Sequence, residues 1–191
     1  MNKKTARFTV TAMLAALTFV LGMTPIGIIP IPPANVTIMH IPVIVGTLVC
    51  GLGTGLILGG VFGLTSTIRA FMSPSALVSP LMGVSPLMVI FMSVASRLMI
   101  PVVTYLVEKA IKNRYPKTAV AIASACGTIT NTVLYLGIML LFYVMSGIDS
   151  STVISVIAGV GALNGSCEAV AAVIICTPVV IALRKMLKDK I

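Results

Sequence analysis

Long apolar runs recur along the whole chain, and this recurrence constrains the fold more than any other feature. Of the 191 residues, 58% are hydrophobic and 9% are charged, and the mean hydropathy is +1.15. A helix needs about 20 apolar residues to cross a membrane, so these runs predict several membrane-spanning helices. Because the head MNKKTARF leads directly into the first run without a small-residue cleavage site, we expect no removable signal peptide.

The basic residues fall mainly in three clusters outside the apolar runs. These are Lys3, Lys4 and Arg7; Lys109, Lys112, Arg114 and Lys117; and Arg184, Lys185, Lys188 and Lys190. Cytoplasmic loops are enriched in Lys and Arg, so all three clusters should be cytoplasmic, and an even number of spans should separate them. The net charge of +9 therefore indicates membrane topology rather than a nucleic-acid partner.

The intervals between the clusters have room for about four spans and two spans of roughly 20 residues. We predict an all-α membrane protein of the cell membrane: one domain over residues 1–191, six transmembrane helices and both termini cytoplasmic. The predicted spans cover residues 8–22, 36–50, 51–70, 87–107, 118–143 and 163–183. The second span is short and contains Pro42, so we expect it to be kinked or tilted. Asp149 falls in an outer loop.

Two proline-rich segments separate predicted spans on the outer side. Residues 24–35 (TPIGIIPIPPAN) hold five prolines and glycines, which exclude a continuous helix there, and residues 71–86 hold three prolines. We interpret both as long outer loops. No internal repeat is visible, which argues against the inverted-repeat design of many secondary transporters.

Small residues at four-residue spacing predict close contacts between helices. The glycines at positions 51, 55, 59 and 63 lie on one face of the third span, where another backbone can approach. On the first span, Ala12 and Ala16 form a similar patch beside Ala15. Packing within the bundle and docking of another membrane protein both explain the alanine patch.

Three polar residues lie deep inside predicted spans, on three different helices. At 1.5 Å per residue from the inner helix ends, Arg97 is about 15 Å, Asn131 about 20 Å and Glu168 about 22 Å into the membrane. Lipid offers such groups no partners, so they usually face the bundle interior or a water-filled cavity. Two interpretations stay open: an Arg97–Glu168 ion pair that only holds helices together, or a ligand-binding site.

The neighbours of these residues favour a ligand-binding site. Thr128, Asn131 and Tyr135 share one face of the fifth span, and Asn164 precedes Glu168 by one turn. Such a surface suits a small molecule with several hydrogen-bonding groups, and Arg97 could bind a carboxylate with two hydrogen bonds. Arg69 and His40 are weaker candidates, because each lies near an outer helix end where a structural role is common.

The sequence lacks the residue patterns that metal sites, disulfides and intramembrane enzymes require. Cys50, Cys126, Cys167 and Cys176 show no paired spacing, which favours packing over a metal site or a disulfide. An intramembrane enzyme would need a nucleophile with a base or paired metal ligands, and neither His-Glu-x-x-His nor Gly-x-Ser-x-Gly is present. We therefore predict no catalytic site, no metal and no cofactor.

Taken together, these features resemble the substrate-binding S components of energy-coupling-factor (ECF) vitamin transporters. The similar features extend over nearly the whole chain: the basic termini, the Ala12 and Ala16 pair, TIMHIPVIVG at 37–46, the glycine-rich third span, SRLMIP around Arg97, TNTVLYLG at 130–137 and NGSCEAVAAVII at 164–175. TIMHIPVIVG, the glycine-rich span and the late NG..EA most resemble the pantothenate type.

The resemblance implies a mechanism and partners. S components bind a vitamin from outside, associate with a transmembrane coupling protein and two ATPase subunits, and are thought to topple in the membrane to release it inside. Ala12 and Ala16 match the motif that contacts the coupling protein. The chain has no Gly-x-x-x-x-Gly-Lys loop, so ATP hydrolysis would belong to a partner. An S component for a pyridoxine-like or other small vitamin, and an unrelated small channel or exporter, are the alternatives.

Overall fold

The computed structural model describes residues 3–31, 34–116, 118–156, 159 and 161–187. Within these residues the chain forms eight α-helices and one two-stranded hairpin. The helices are α1 (Lys3–Met23), α2 (Ile41–Cys50), α3 (Leu52–Met72), α4 (Val78–Val84), α5 (Pro86–Ile111), α6 (Ala119–Met145), α7 (Ser151–Val156) and α8 (Ala162–Leu187). The strands are β1 (Ile28–Ile31) and β2 (Ala34–Thr37), which follow a short 3-10 turn at Pro25–Gly27.

Five of the described helices are long and apolar enough to cross a membrane: α1, α3, α5, α6 and α8. The protein is therefore a multi-pass membrane protein, as its hydropathy predicts. The sixth apolar helix, α2, has ten residues. At 1.5 Å per residue it is about 15 Å long, roughly half of the hydrocarbon thickness.

The second predicted span, residues 36–50, is helical only from Ile41, so the prediction of a kinked helix over this range was wrong. Pro42 occupies the first turn of α2, where its missing N–H breaks no helical hydrogen bond. The preceding residues form the antiparallel hairpin, with Ile28 opposite Thr37 and Ile31 opposite Ala34. The hairpin therefore lies mostly in the predicted outer loop 24–35, and only its last two residues, Val36 and Thr37, overlap the predicted second span.

Helix α2 lies at the centre of the bundle and packs against α1, α3, α5 and α8. Every residue from Pro42 to Leu48 is buried. Its apolar side chains join a central core with residues from α3, α5, α6 and α8, among them Leu58, Phe62, Ile100, Ala123 and Cys176. The short helix is thus shielded from lipid by the longer ones around it.

The glycine-rich face of α3 makes the close helix contacts that its spacing predicts. A Cβ on Gly55 would lie 2.6 Å from Pro101 Cβ, and one on Gly59 would lie 2.8 Å from the Arg97 carbonyl oxygen. A Cβ on Gly63 would lie 3.0 Å from Val94 Cα. Three of the four glycines therefore bring α3 against α5. Gly51 differs, because it precedes α3 and has a φ of 90°, a conformation that favours glycine.

The predicted loop 71–86 contains a helix that the prolines did not suggest. Helix α4 covers Val78–Val84, and Tyr143 on α6 donates its hydroxyl to the Leu77 carbonyl oxygen at 2.5 Å. A second apolar core forms here; it includes Val78, Leu81, Val89, Met92, Met139, Tyr143 and Val153. The segment is therefore a packed cap over α5 and α6 and not an extended loop.

Asp149 lies between α6 and α7, in the segment predicted to be an outer loop. It is exposed, and Ser151 donates both its backbone N–H (2.9 Å) and its hydroxyl (2.8 Å) to the carboxylate. These two hydrogen bonds hold the pKa of Asp149 below its usual value.

Ends of several helices meet at one end of the bundle, which we call the basic end. Arg184 on α8 donates to the Glu108 carboxylate on α5 at 2.6 Å and also to the Leu48 carbonyl oxygen near the end of α2. Lys112 lies 3.9 Å from the same carboxylate. Arg7 on α1 donates to the Thr54 hydroxyl at the start of α3, at 3.4 Å. Members of all three basic clusters therefore lie at the same end.

Candidate functional site

Arg97 is held between two aromatic rings inside the bundle. Its guanidinium carbon lies 4.3 Å from the Tyr135 ring centre and 5.3 Å from that of Phe62. Nη1 donates to the Ser96 hydroxyl at 2.7 Å, while the buried Nε has no hydrogen-bond partner among the described residues. Cations stack favourably on aromatic faces, so the two rings fix the guanidinium and leave part of its hydrogen-bonding edge unused.

Arg97 and Tyr135 line an open cavity of about 340 Å³. The other described residues of its wall are Thr37, Met39, Ser66, Arg69, Ala70, Ser73, Ser75 and Val78. They come from the end of the hairpin, from α3 and from the segment that leads into α4. The volume is within the range of sites for small organic ligands, and the wall combines apolar side chains with hydroxyls and two cations.

The hairpin explains why the chain can form a cavity at this place. Backbone that is neither helix nor barrel is tolerated at membrane depth only where protein covers it or where it lines a cavity. Thr37 and Met39, directly before α2, lie in such backbone and belong to the cavity wall. The interruption of the second span therefore supplies part of the site.

The structure corrects the predicted partner of Glu168. Arg97 and Glu168, both within the described part of the chain, form no ion pair within 4.0 Å; the described ion pairs involve Glu108. Instead, Glu168 Oε1 accepts the Thr37 backbone N–H at 2.9 Å and the Thr37 hydroxyl at 2.5 Å. The structural ion pair weighed from the sequence is therefore not present.

Several predicted site residues carry buried polar atoms without a protein partner. Both ring nitrogens of His40 and the side-chain oxygens of Asn131 and Asn164 have no hydrogen-bond partner in the described part of the chain. His40 is 1% exposed and Asn131 is 8% exposed. Buried polar groups are normally hydrogen-bonded, so unpartnered ones suggest a binding role. None of the three belongs to the described wall of the cavity, although His40 is adjacent to Met39, which does.

Thr128 and Arg69 already have partners. The Thr128 hydroxyl donates to the Ser124 carbonyl oxygen of its own helix at 3.0 Å, and the side chain is fully buried. Arg69 Nη1 donates to the Gly22 carbonyl oxygen near the end of α1 at 3.3 Å, and Arg69 also lines the cavity. The structure thus brings together Arg97, Tyr135 and Arg69, while Thr128 lies outside the cavity wall.

Sequence reasoning did not identify Thr37 and Phe62 as site residues. Thr37 stood at the start of a segment interpreted as a helix, where one more threonine carries no signal. Phe62 lies in an apolar, glycine-rich helix, and nothing in that pattern singles it out. The only feature that could have pointed to Phe62 is its position next to Gly63, where α3 packs against α5.

Ala12 and Ala16 lie on the surface of the bundle. Both are exposed, whereas Ala15 packs against the central core. Ala12 and Ala15 also line a groove of about 530 Å³ between α1 and the start of α3. The pair is therefore not used for packing within the described part of the chain.

Comparison with known proteins gives two matches. A family model described as "ECF transporter, substrate-specific component" matches residues 6–180. The chain is also 34% identical over 163 residues to the pantothenic acid transporter PanT of Lactococcus lactis subsp. cremoris (strain MG1363), with 80% of each chain covered. The family match includes every candidate site residue and the Ala12 and Ala16 pair.

Proposed function

The chain belongs to the substrate-specific components of ECF transporters, and from this premise we propose that it captures pantothenate from outside the cell. Such a chain is a membrane-embedded, vitamin-binding subunit of an importer. The assignment of pantothenate is supported by the similarity to a pantothenic acid transporter. It is supported independently by the chemistry of the cavity around Arg97.

The observation that carries this proposal is the aromatic clamp, which we define as Arg97 between Phe62 and Tyr135. Pantothenate has one carboxylate, one amide and two hydroxyls. Arg97 is positioned to bind the carboxylate, because its guanidinium is fixed and one buried donor is unpartnered. We propose that the hydroxyls and the amide hydrogen-bond to hydroxyls of the cavity wall, those of Thr37, Ser66, Ser73 and Ser75. His40, Asn131 and Asn164 carry unpartnered buried polar atoms outside the described wall, and they become accessible only if the site rearranges around the ligand.

We further propose that the chain crosses the membrane six times, with both termini in the cytoplasm. In this topology α2 and the hairpin together make the second crossing. The meeting of all three basic clusters at the basic end supports it, because cytoplasmic ends are enriched in Lys and Arg. The cavity would then open toward the outside, because Arg97 lies about 16 Å along α5 from Glu108.

The partners follow from the family in general terms. We propose that a transmembrane coupling protein docks on the exposed Ala12 and Ala16 patch of α1, where small side chains allow a close helix approach. Two ATPase subunits would drive release, because this chain lacks a phosphate-binding loop. No nucleic acid takes part in this scheme.

The isolated subunit should retain its ligand through purification. We expect mass spectrometry of the denatured protein to detect pantothenate, and titration of the stripped protein to show binding of one pantothenate per chain. Liposomes that contain only this subunit should not leak ions. A different vitamin in the spectrum would refute the assignment of pantothenate, and an ion leak without vitamin binding would indicate a channel.

A further inference from the structure

Glu168 makes one of the few polar contacts between the hairpin and the helical bundle in the described residues. A single carboxylate oxygen accepts two hydrogen bonds from Thr37, one from the backbone N–H and one from the side-chain hydroxyl. Thr37 is the last residue of β2 and lines the cavity, and β2 contacts α8. Glu168 itself is 6% exposed.

We propose that Glu168 is a positioning residue, which holds the end of the hairpin against α8 and so builds the Thr37 and Met39 wall of the substrate cavity. It acts on the ligand through Thr37 and is not itself a ligand contact. This inference deepens the proposed function and rests on it only for the effect on ligand binding. The effect on the hairpin is a property of the unliganded protein.

The hairpin needs such an attachment. Its two strands have four residues each, and an isolated two-stranded hairpin is marginally stable. A membrane-embedded site offers few competing donors and acceptors, so the two hydrogen bonds from Thr37 to one oxygen persist there. One carboxylate that accepts both donors of the same residue fixes the position and the orientation of Thr37.

The contact also explains why a carboxylate stands in an apolar helix. A buried carboxylate is costly unless donors satisfy it, and Thr37 supplies two. Arg97 serves a separate purpose, because its guanidinium stacks on Phe62 and Tyr135 and is not paired with Glu168. In this proposal the two buried residues have different roles: Arg97 contacts the ligand, and Glu168 fixes Thr37 in the wall of the cavity.

Two pairs of variants separate positioning from charge. Glu168→Gln keeps an oxygen that can accept both hydrogen bonds, whereas Glu168→Ala removes it. Thr37→Ser keeps both donors, whereas Thr37→Val keeps the shape and loses the hydroxyl. Melting curves for each variant confirm that the protein being measured is folded.

The first readout is hydrogen–deuterium exchange of the peptide around Thr37 in the unliganded protein. We expect Glu168→Ala to speed exchange of this peptide about tenfold or more, because it removes both hydrogen bonds, and Thr37→Val to speed it less, because it removes only one. Glu168→Gln and Thr37→Ser should stay within about threefold of the parent. Unchanged exchange in Glu168→Ala would overturn the proposal, whatever the ligand is.

The second readout is the rate of pantothenate release. Glu168→Ala should release pantothenate about tenfold faster and Thr37→Val by a smaller factor, Glu168→Gln should release it within about threefold of the parent, and the double variant Glu168→Ala/Thr37→Val should be no faster than Glu168→Ala. If Glu168→Gln releases pantothenate as fast as Glu168→Ala, the charge itself contacts the ligand and the positioning role is wrong. If the parent protein does not bind pantothenate, the proposed function fails, and the exchange measurement still decides the role of Glu168.

Discussion

At the scale of single residues, the proposed site depends on how firmly Arg97 is fixed. Its side chain stacks between Phe62 and Tyr135, and its backbone lies against the glycine face of α3. A fixed cation binds a carboxylate without first paying the entropy of immobilising a long side chain. Residues that place Arg97 should therefore affect ligand affinity even without touching the ligand.

Gly59 is the clearest such residue. A Cβ at this position would lie 2.8 Å from the Arg97 carbonyl oxygen, so Gly59→Ala must push the backbone of α5 away from α3. Overpacking of this kind costs about 1–3 kcal/mol, and we expect a lower melting temperature together with about tenfold weaker pantothenate binding.

Gly60→Ala is the matched control for Gly59→Ala. Among the described residues, no atom beyond the local backbone of α3 lies within 4 Å of a Cβ at Gly60, and alanine favours a helix over glycine by roughly 0.5–1 kcal/mol. This variant should melt at the same or a higher temperature and bind pantothenate within about twofold of the parent. Equal effects of the two substitutions would show that the α3–α5 contact does not position Arg97.

The sequence identified Arg97 and Glu168 correctly as unusual, because each is a charge inside an apolar run. It could not identify their contacts. Helix rise gives depth in the membrane, and similar depths suggested that the two residues pair. Depth does not tell which way a side chain points around the helix axis. In the structure Arg97 points to the rings of Phe62 and Tyr135, and the residue that contacts Glu168 is Thr37.

At the scale of elements, the five long helices were predictable and the short ones were not. Hydropathy located the fifth span at 118–143, close to the observed Ala119–Met145. The same criterion placed the start of the second helix at residue 36, five residues before the observed start at Ile41, because an apolar run is compatible with both a buried helix and a buried strand. It also missed α4, whose prolines suggested a loop, although Pro80 lies in the first turn where a helix tolerates it.

Helix α1 gives the prediction that belongs to this scale. Ala12 and Ala16 are exposed, so bulky replacements should leave the bundle intact and block only a partner. We expect Ala12→Trp/Ala16→Trp to abolish pantothenate uptake in cells that contain the complete transporter. Affinity of the isolated subunit should stay within about threefold of the parent.

Leu17→Trp is the control, because Leu17 is exposed about 140° around α1 from Ala12 at 100° per residue. Uptake should survive this change. If the alanine variant loses both uptake and binding, the patch supports the fold of the subunit, and the docking proposal is wrong.

At the scale of the whole molecule, the two ends of the bundle differ. The basic end is closed by Arg184, Glu108 and the Leu48 carbonyl oxygen, which join α8, α5 and α2. The cavity lies away from this end, beside the hairpin that precedes α2. This arrangement fits the proposed capture of a ligand at the end of the bundle away from the basic end.

The central claim is that Arg97 binds the carboxylate of pantothenate, and a thermodynamic cycle tests it most directly. Calorimetric titration would compare the parent protein and Arg97→Met, each with pantothenate and with panthenol, in which an alcohol replaces the carboxylate. The parent should prefer pantothenate by about thirtyfold to several thousandfold, which corresponds to about 2–5 kcal/mol for a desolvated charged contact. Arg97→Met should lose this preference and bind both compounds within about threefold of each other. An Arg97→Met protein that is folded and still prefers pantothenate as strongly as the parent would contradict the account.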